Sequence, residues 1–435
     1  MIGLLLILLS APSAPLYEHS FRLAHAAEAV AVVRASCERC DWGVPGREAA
    51  VLKLSLDGSH SQHLVLARGV SGEYRVLLGA LGEGEHRLVL ALDARRSARG
   101  TGAVRVEDVR VVAVATDDPG HEALAHAPIV HTRKGSLERF SDAPLVAWVE
   151  AFPAADGGHE LRYSIVFSHE DGGTPLDQLM ATWGRATDIE LVYAVELDAT
   201  GRVRRAEYQG KDHVTKTFAG RREGSHPVLY VVTRNNMLSD RGPATPRIAL
   251  APLPFALDSV AREAVMDAQP WTHQLSAAEV RREGRVADGA RPGSKRIPDP
   301  RRFAFLEACA SLSDTRLAFD VALRRPGGVL QWYASDAGRP AFRVARSGCF
   351  RAAVALPRGA AASDVEALRL RAHTRPPRRG EVPLPRGAGA ARIERVNLLY
   401  GLGKDDRPGP SLFSWTGSSE LTPDGLPLEL PLLPR

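Results

Sequence analysis

The chain has 435 residues, 44% hydrophobic and 25% charged, a composition that excludes a disordered polymer and allows real cores. Its 39 glycines and 30 prolines favour many turns and exclude an all-helical bundle. The net charge of +5 is local: residues 281–302 carry eight basic residues against three acidic, an excess equal to that of the whole chain, so a nucleic-acid partner is not expected.

Residues 2–9 are an apolar run followed by small residues at 10–14. That is the pattern of a secretory signal peptide, although no Lys or Arg precedes it. A signal peptide within 1–26 is therefore expected, with cleavage after Ser13 or Ala14 or at 24–26. The product would be exported to a periplasm or the extracellular space. No internal run reaches the ~18 apolar residues of a spanning helix, so the mature chain should have no transmembrane segment.

Across 27–118, β-type runs at 29–35, 50–56, 61–67, 73–79, 85–92 and 103–115 recur with turn signals between them. Such spacing predicts a β-sandwich, similar in phrasing to carbohydrate-binding and immunoglobulin-like modules. Cys37 and Cys40 lack a second Cys/His pair at ligand spacing, which argues for a local disulfide over a zinc site. Cys309 and Cys349 are expected to pair likewise.

A central β-sandwich-like domain is predicted over 126–255. Leu161, Tyr163, Ile165 and Phe167 alternate with Glu160, Arg162, Ser164 and Ser168; Ile189, Leu191, Tyr193, Val195 and Leu197 oppose Asp188, Glu190 and Glu196. Both read as antiparallel strands with one wet face. Between them, Thr174 as N-cap, Pro175, and Leu176, Leu179, Met180 and Trp183 at helical spacing predict a short helix covering the sheet. The apolar stretch 227–233 reads as a buried strand.

Residues 256–299 read as a helical and basic linker, with a capping box at Ser276 and Glu279. A C-terminal β domain is expected over 300–435, with strands at 316–325, 329–334, 341–346, 350–356, 364–372 and 391–400 and a proline-rich extended tail. The predicted fold is thus mainly β, several sandwich-like domains with a few short helices.

The central domain holds the densest set of candidate groups. His169 ends one strand and Asp188 begins the next, so antiparallel pairing would bring them to one rim, with Glu170, Asp171 and Glu190 nearby. Imidazole and carboxylates on a rigid strand end suit a metal centre or an acid–base pair. His169 and Asp188 would be the ligands of any divalent metal, although no HxH or HExxH spacing occurs. A polar turn at 169–171 and a solvated strand face at Asp188 and Glu190 are the plainer alternatives. His226 and Asn235 sit at opposite ends of a ~23 Å strand, so one site can recruit only one of them. Asn235 and Asn236 suit a left-handed turn. No nucleophile elbow, phosphate loop or dinucleotide fingerprint is present in a suitable context.

The strand phrasing of 187–198, 201–203, 207–210 and 226–232 resembles the vacuolar protein sorting sixty-two-like family. Where that family has His-Glu-Gly-Asp-Trp-Glu, this chain keeps only Asp188 and Glu190, and Thr233 to Asn236 replaces Gly-Ser-His. The resemblance implies a β-sandwich-like module and no particular reaction. The expectation from architecture is a non-catalytic binding module for a glycan or a surface protein; the alternative is a metal-assisted hydrolase at the His169/Asp188 rim.

Overall fold

The computed structural model describes residues 14–432 apart from Asp171 and the side chain of Ser61. The apolar run of the predicted signal peptide lies outside these residues. The chain is mainly β, 47% strand and 11% helix, built from several antiparallel sheets and short helices. It divides into two units, each assembled from separated stretches. Among the described residues, the first comprises 14–140, 217–231 and 239–252; the second comprises 141–216, 232–238 and 253–432. The stretch 126–255 is thus shared between the two units.

In the first unit, one sheet orders Pro15–Leu23, Gly84–Leu92, Ala50–Leu56 and Ser59–Leu66; another orders Gly72–Leu81, Ala27–Cys37 and Val104–Val114. Alternating Ala31, Val33, Leu52, Leu54, Leu88 and Leu90 fill the layer between them. Pro15–Leu23 is a strand that the pattern of short runs did not include. It pairs antiparallel with Gly84–Leu92, so cleavage at 24–26 would remove an edge of this sheet. Cys37 and Cys40 form a disulfide. His226–Val231 runs parallel to Ile129–His131 in a small further sheet, buried along most of its length.

In the second unit, a six-stranded sheet orders Thr215–Thr217, Val203–Gln209, Asp188–Leu197, His159–Phe167, Pro144–Pro153 and Leu253–Pro254. Half-wet strands were expected, yet the Asp188 end is covered on both faces. Val265 and Met266, from the helix Ala264–Ala268, pack on Val146, Trp148, Val166 and Ile189. The helix Leu176–Trp183 forms where the spacing predicts it, but it does not cover this sheet. Leu176, Leu179 and Met180 instead join Phe303, Phe305, Ala353 and Tyr400 of the C-terminal sheets. Gly184 permits that approach: its φ is +61°, and a Cβ there would meet Arg351 Cβ at 3.0 Å and the Ala352 backbone at 3.2 Å.

The predicted linker is also packed. Its second helix, Trp271–Arg282, starts at Pro270, so Ser276 and Glu279 lie mid-helix and form no capping box. Arg281 bridges Asp299 and Asp406, which takes it out of the solvated basic run. The C-terminal sandwich layers Gly348–Ala355, Phe303–Ser313, Ala390–Tyr400 and Phe413–Leu421 over Leu330–Ala334, Thr315–Arg324, Val365–Thr374 and Leu428–Pro431. Residues 341–346 are not a strand, and the proline-rich tail supplies two strands because its apolar residues close the sandwich core. Cys309 and Cys349 face each other in register on adjacent strands and form the second disulfide. Among the described residues, no helix is long and apolar enough to cross a membrane.

Candidate functional site

His159–Phe167 and Asp188–Leu197 are antiparallel neighbours, with Phe167 opposite Asp188 and Ile165 opposite Glu190. This register brings the end of one strand and the start of the next to one rim, all within the second unit. Asp188 and Glu190 are 2% and 6% exposed, so the solvated-face alternative does not hold. On their face of the strand Asn236 packs against Asp188 and Gln209 against Glu190, while the helix Ala264–Ala268 packs on Ile189, which points to the other face.

Most polar groups of the rim have a specific partner; among the described residues, the Asn236 Oδ1 is buried without one. Asn236 Nδ2 donates to Asp188 Oδ2 at 3.0 Å and to the His169 carbonyl at 3.3 Å. Arg185 Nη1 lies 3.8 Å from Asp188 Oδ1, while its Nε donates to Glu263 Oε1 at 3.0 Å. Gln209 Nε2 donates to Glu190 Oε2 and lies 2.8 Å from His213 Nδ1. His169 is fully buried, and its Nε2 accepts from Arg285 Nη1 at 3.3 Å. Thr174 does not cap the helix as predicted; its N–H donates to Glu170 Oε1 at 2.8 Å. Gly173, at φ +110°, permits this turn because a Cβ there would collide with Glu170 Oε1. Asp171 lies outside the described residues.

Crowding three carboxylates out of water raises the cost of charging them. Burial, followed by the neighbouring Asp188 carboxylate, pushes the Glu190 carboxyl up to about 9 and the Glu170 carboxyl up to about 7. Near neutral pH, Glu190 is therefore a hydrogen-bond donor beside Asp188. A cleft of about 70 Å³ opens onto His169, Glu170, Arg285 and Lys295, room for a few waters and no more.

A divalent cation does not fit these partners. It would have to displace the Arg285 guanidinium from His169 Nε2 and the Arg185 guanidinium from beside Asp188. Among the described residues, no group of three His, Cys, Asp or Glu side chains is arranged to hold one.

The rim recruits two residues that the sequence reading left out of it. Asn236 was legible only as a left-handed turn, which its φ of +53° matches; that same turn aims its amide at Asp188. Arg185 gave no signal of its own. His226 belongs to the first unit, where it is buried and its Nε2 lies 3.1 Å from Glu28 Oε2.

A different concavity is large enough for a ligand. At one end of the C-terminal sandwich, a cleft of about 1260 Å³ opens between Arg325, Tyr333, Arg358, Glu366 and Phe413. Ligand pockets commonly measure about 300–1,000 Å³. Leu330, which lines it, is 39% exposed. The Tyr333 hydroxyl is buried without a hydrogen-bond partner, and Arg325 lies 5.7 Å above its ring. No family model matches the chain, and no curated protein gives a significant match to it.

Proposed function

We propose that the protein is an exported, non-catalytic binding module whose ligand, a glycan, enters the cleft at the end of the C-terminal sandwich. The observation that carries this reading is a ligand-sized cleft lined by the Tyr333 and Phe413 rings together with Arg325 and Arg358. Donors from Arg325 and Arg358, acceptors from Asp364 and Glu366, and the rings of Tyr333 and Phe413 line the same space. That mixture of donors, acceptors and π-faces is what hydroxyl-rich rings require. The two disulfides suit an oxidising compartment. A glycan array probed with the full chain tests the reading. Binding by a defined glycan class, lost in the double variant Tyr333→Ala/Arg325→Ala with its thermal melt preserved, is the expected outcome; an array without signal, or signal untouched by the double variant, contradicts it.

One observation favours a hydrolase as second reading. The Glu170 carboxyl titrates near 7 and faces the small cleft, the range in which a carboxyl group can serve as general acid. Such chemistry would be metal-free acid–base work by Glu170, in place of the metal-assisted form, on a group small enough to replace the few waters of the cleft. It predicts turnover of a small ester that is abolished in Glu170→Gln.

A further inference from the structure

Among the described residues, five charged side chains line the sandwich cleft, three arginines and two acids, and their pairing is unequal. Arg324 holds Glu366 through two hydrogen bonds, Nε to Oε1 at 2.8 Å and Nη2 to Oε2. Asp364 is engaged as well, since its Oδ2 accepts from the Ala361 N–H at 2.8 Å. Arg325 and Arg358 have no countercharge of this kind: among the described residues neither makes an ion pair. Both are exposed, so a ligand lying in the cleft can reach them.

Neutral partners hold the first of these cations in place. The Arg325 Nε donates to the Gln331 amide oxygen, and its guanidinium carbon lies 5.7 Å from the centroid of the Tyr333 ring. The side chain is thus held at two points without losing its charge, and among the described residues its two terminal nitrogens donate to nothing. Those nitrogens form the end-on fork of the guanidinium, which matches the paired oxygens of a carboxylate or a sulfate. Arg358 donates through none of its side-chain nitrogens among the described residues. The two cations follow strands of opposite sheets, Thr315–Arg324 and Gly348–Ala355, so each sheet of the sandwich contributes one to the cleft.

We infer that the ligand of this cleft is an acidic glycan, whose carboxylate or sulfate groups accept from Arg325 and Arg358 while Tyr333 and Phe413 meet its ring faces. The inference rests on the glycan reading of the same cleft and narrows it to one chemical class. A sugar hydroxyl leaves both guanidinium charges without a counterion. An anionic group accepts charge-assisted hydrogen bonds from them instead, which are roughly twice as strong as neutral ones. Because the cleft is open to solvent, that attraction is screened by salt, whereas hydrogen bonds to hydroxyls and ring packing are not.

Isothermal titration of the full chain with matched pairs tests it: oligogalacturonate against its methyl ester, and dextran sulfate oligomers against dextran. Each pair keeps the sugar rings and removes the charge, and the two pairs separate a carboxylate source from a sulfate source. The charged member of at least one pair should bind about tenfold more tightly than its neutral partner and lose affinity as ionic strength rises. Arg358→Gln, which keeps a hydrogen-bonding amide and removes the charge, should weaken that binding about tenfold, and Arg358→Lys by about threefold at most. Arg358 is exposed, so both variants should melt as the wild-type does. Arg392→Gln removes the same charge from an exposed position outside the cleft and should bind unchanged. Equal affinity within both pairs, an Arg358→Gln variant that binds as the wild-type does, or a loss shared equally by Arg392→Gln overturns the inference. Binding of a neutral glycan that is lost in Tyr333→Ala/Arg325→Ala would then leave the glycan reading of the cleft standing, whereas no binding to any glycan, charged or neutral, removes both.

Discussion

Burial, and after it the Asp188 carboxylate, raises the proton affinity of both neighbouring glutamates. Asp188 itself accepts a hydrogen bond from the Asn236 amide at 3.0 Å. Asn236→Ala should therefore lower the urea midpoint, at a cost of about 1–3 kcal/mol for an acceptor stripped of its donor. An unchanged midpoint would mean that the bond contributes nothing. Glu170 and Glu190 bind protons more tightly in the folded chain than in an unfolded one, where glutamate titrates near 4.5. Their stabilising contribution is complete below that value and is lost as pH rises through about 7 and about 9. The Tm difference between Glu190→Gln and wild-type should accordingly move in favour of the variant from pH 5 to pH 9. A difference that is flat over that range, or moves the other way, contradicts the assignment of a neutral Glu190.

At the scale of elements, the helix Ala264–Ala268 joins the central sheet to the C-terminal sandwich within the second unit. Val265 and Met266 face the sheet, and Asp267 accepts from Arg351 Nη1 at 3.1 Å and from the Tyr400 hydroxyl at 2.6 Å. Despite its burial, hydrogen bonds from His273 and the Arg351 charge hold the Asp267 carboxyl well below the usual carboxylate range. Its contribution is present above the ordinary value of 3.8 and is lost as pH falls below it. Asp267→Asn should cost about 2 kcal/mol at pH 7, because it removes one of the two carboxylates paired with the buried Arg351, Glu307 being the other, and the cost should shrink in acid. Chemical denaturation at pH 7 and pH 3 checks both parts; an equal cost at the two values would remove the ion pair from the account.

The strands of both sandwiches were legible because alternation and turn residues are local signals, as along Ala50–Leu56 and Thr315–Arg324. What escaped depends on contacts distant in sequence. Phe413–Leu421 and Leu428–Pro431 lie among prolines and declare themselves only by completing sheets with Ala390–Tyr400 and Val365–Thr374. The helix Leu176–Trp183 was legible, but its docking face was not, since periodicity gives the apolar stripe and not the surface it meets. Of the rim, the meeting of His169, Glu170, Asp188 and Glu190 followed from strand order alone. Its burial did not, because Asn236, which covers Asp188, lies 48 residues downstream and shows in the sequence only as a turn residue.

At the scale of the whole molecule, two chemically distinct places compete for function: a buried rim whose Asp188 and Glu190 are hydrogen-bonded internally, and an open cleft lined by arginines, acids and aromatic rings. On the proposed function, the cleft binds the ligand and the rim is structural. Isothermal titration of the glycan selected on the array, against wild-type, Arg358→Ala and Asp188→Asn, separates them most directly. Binding weakened about tenfold by loss of the exposed Arg358 guanidinium, and unchanged in a folded Asp188→Asn variant, is the predicted result. Affinity or glycan turnover that follows Asp188 and ignores Arg358 would contradict it and place the function at the rim.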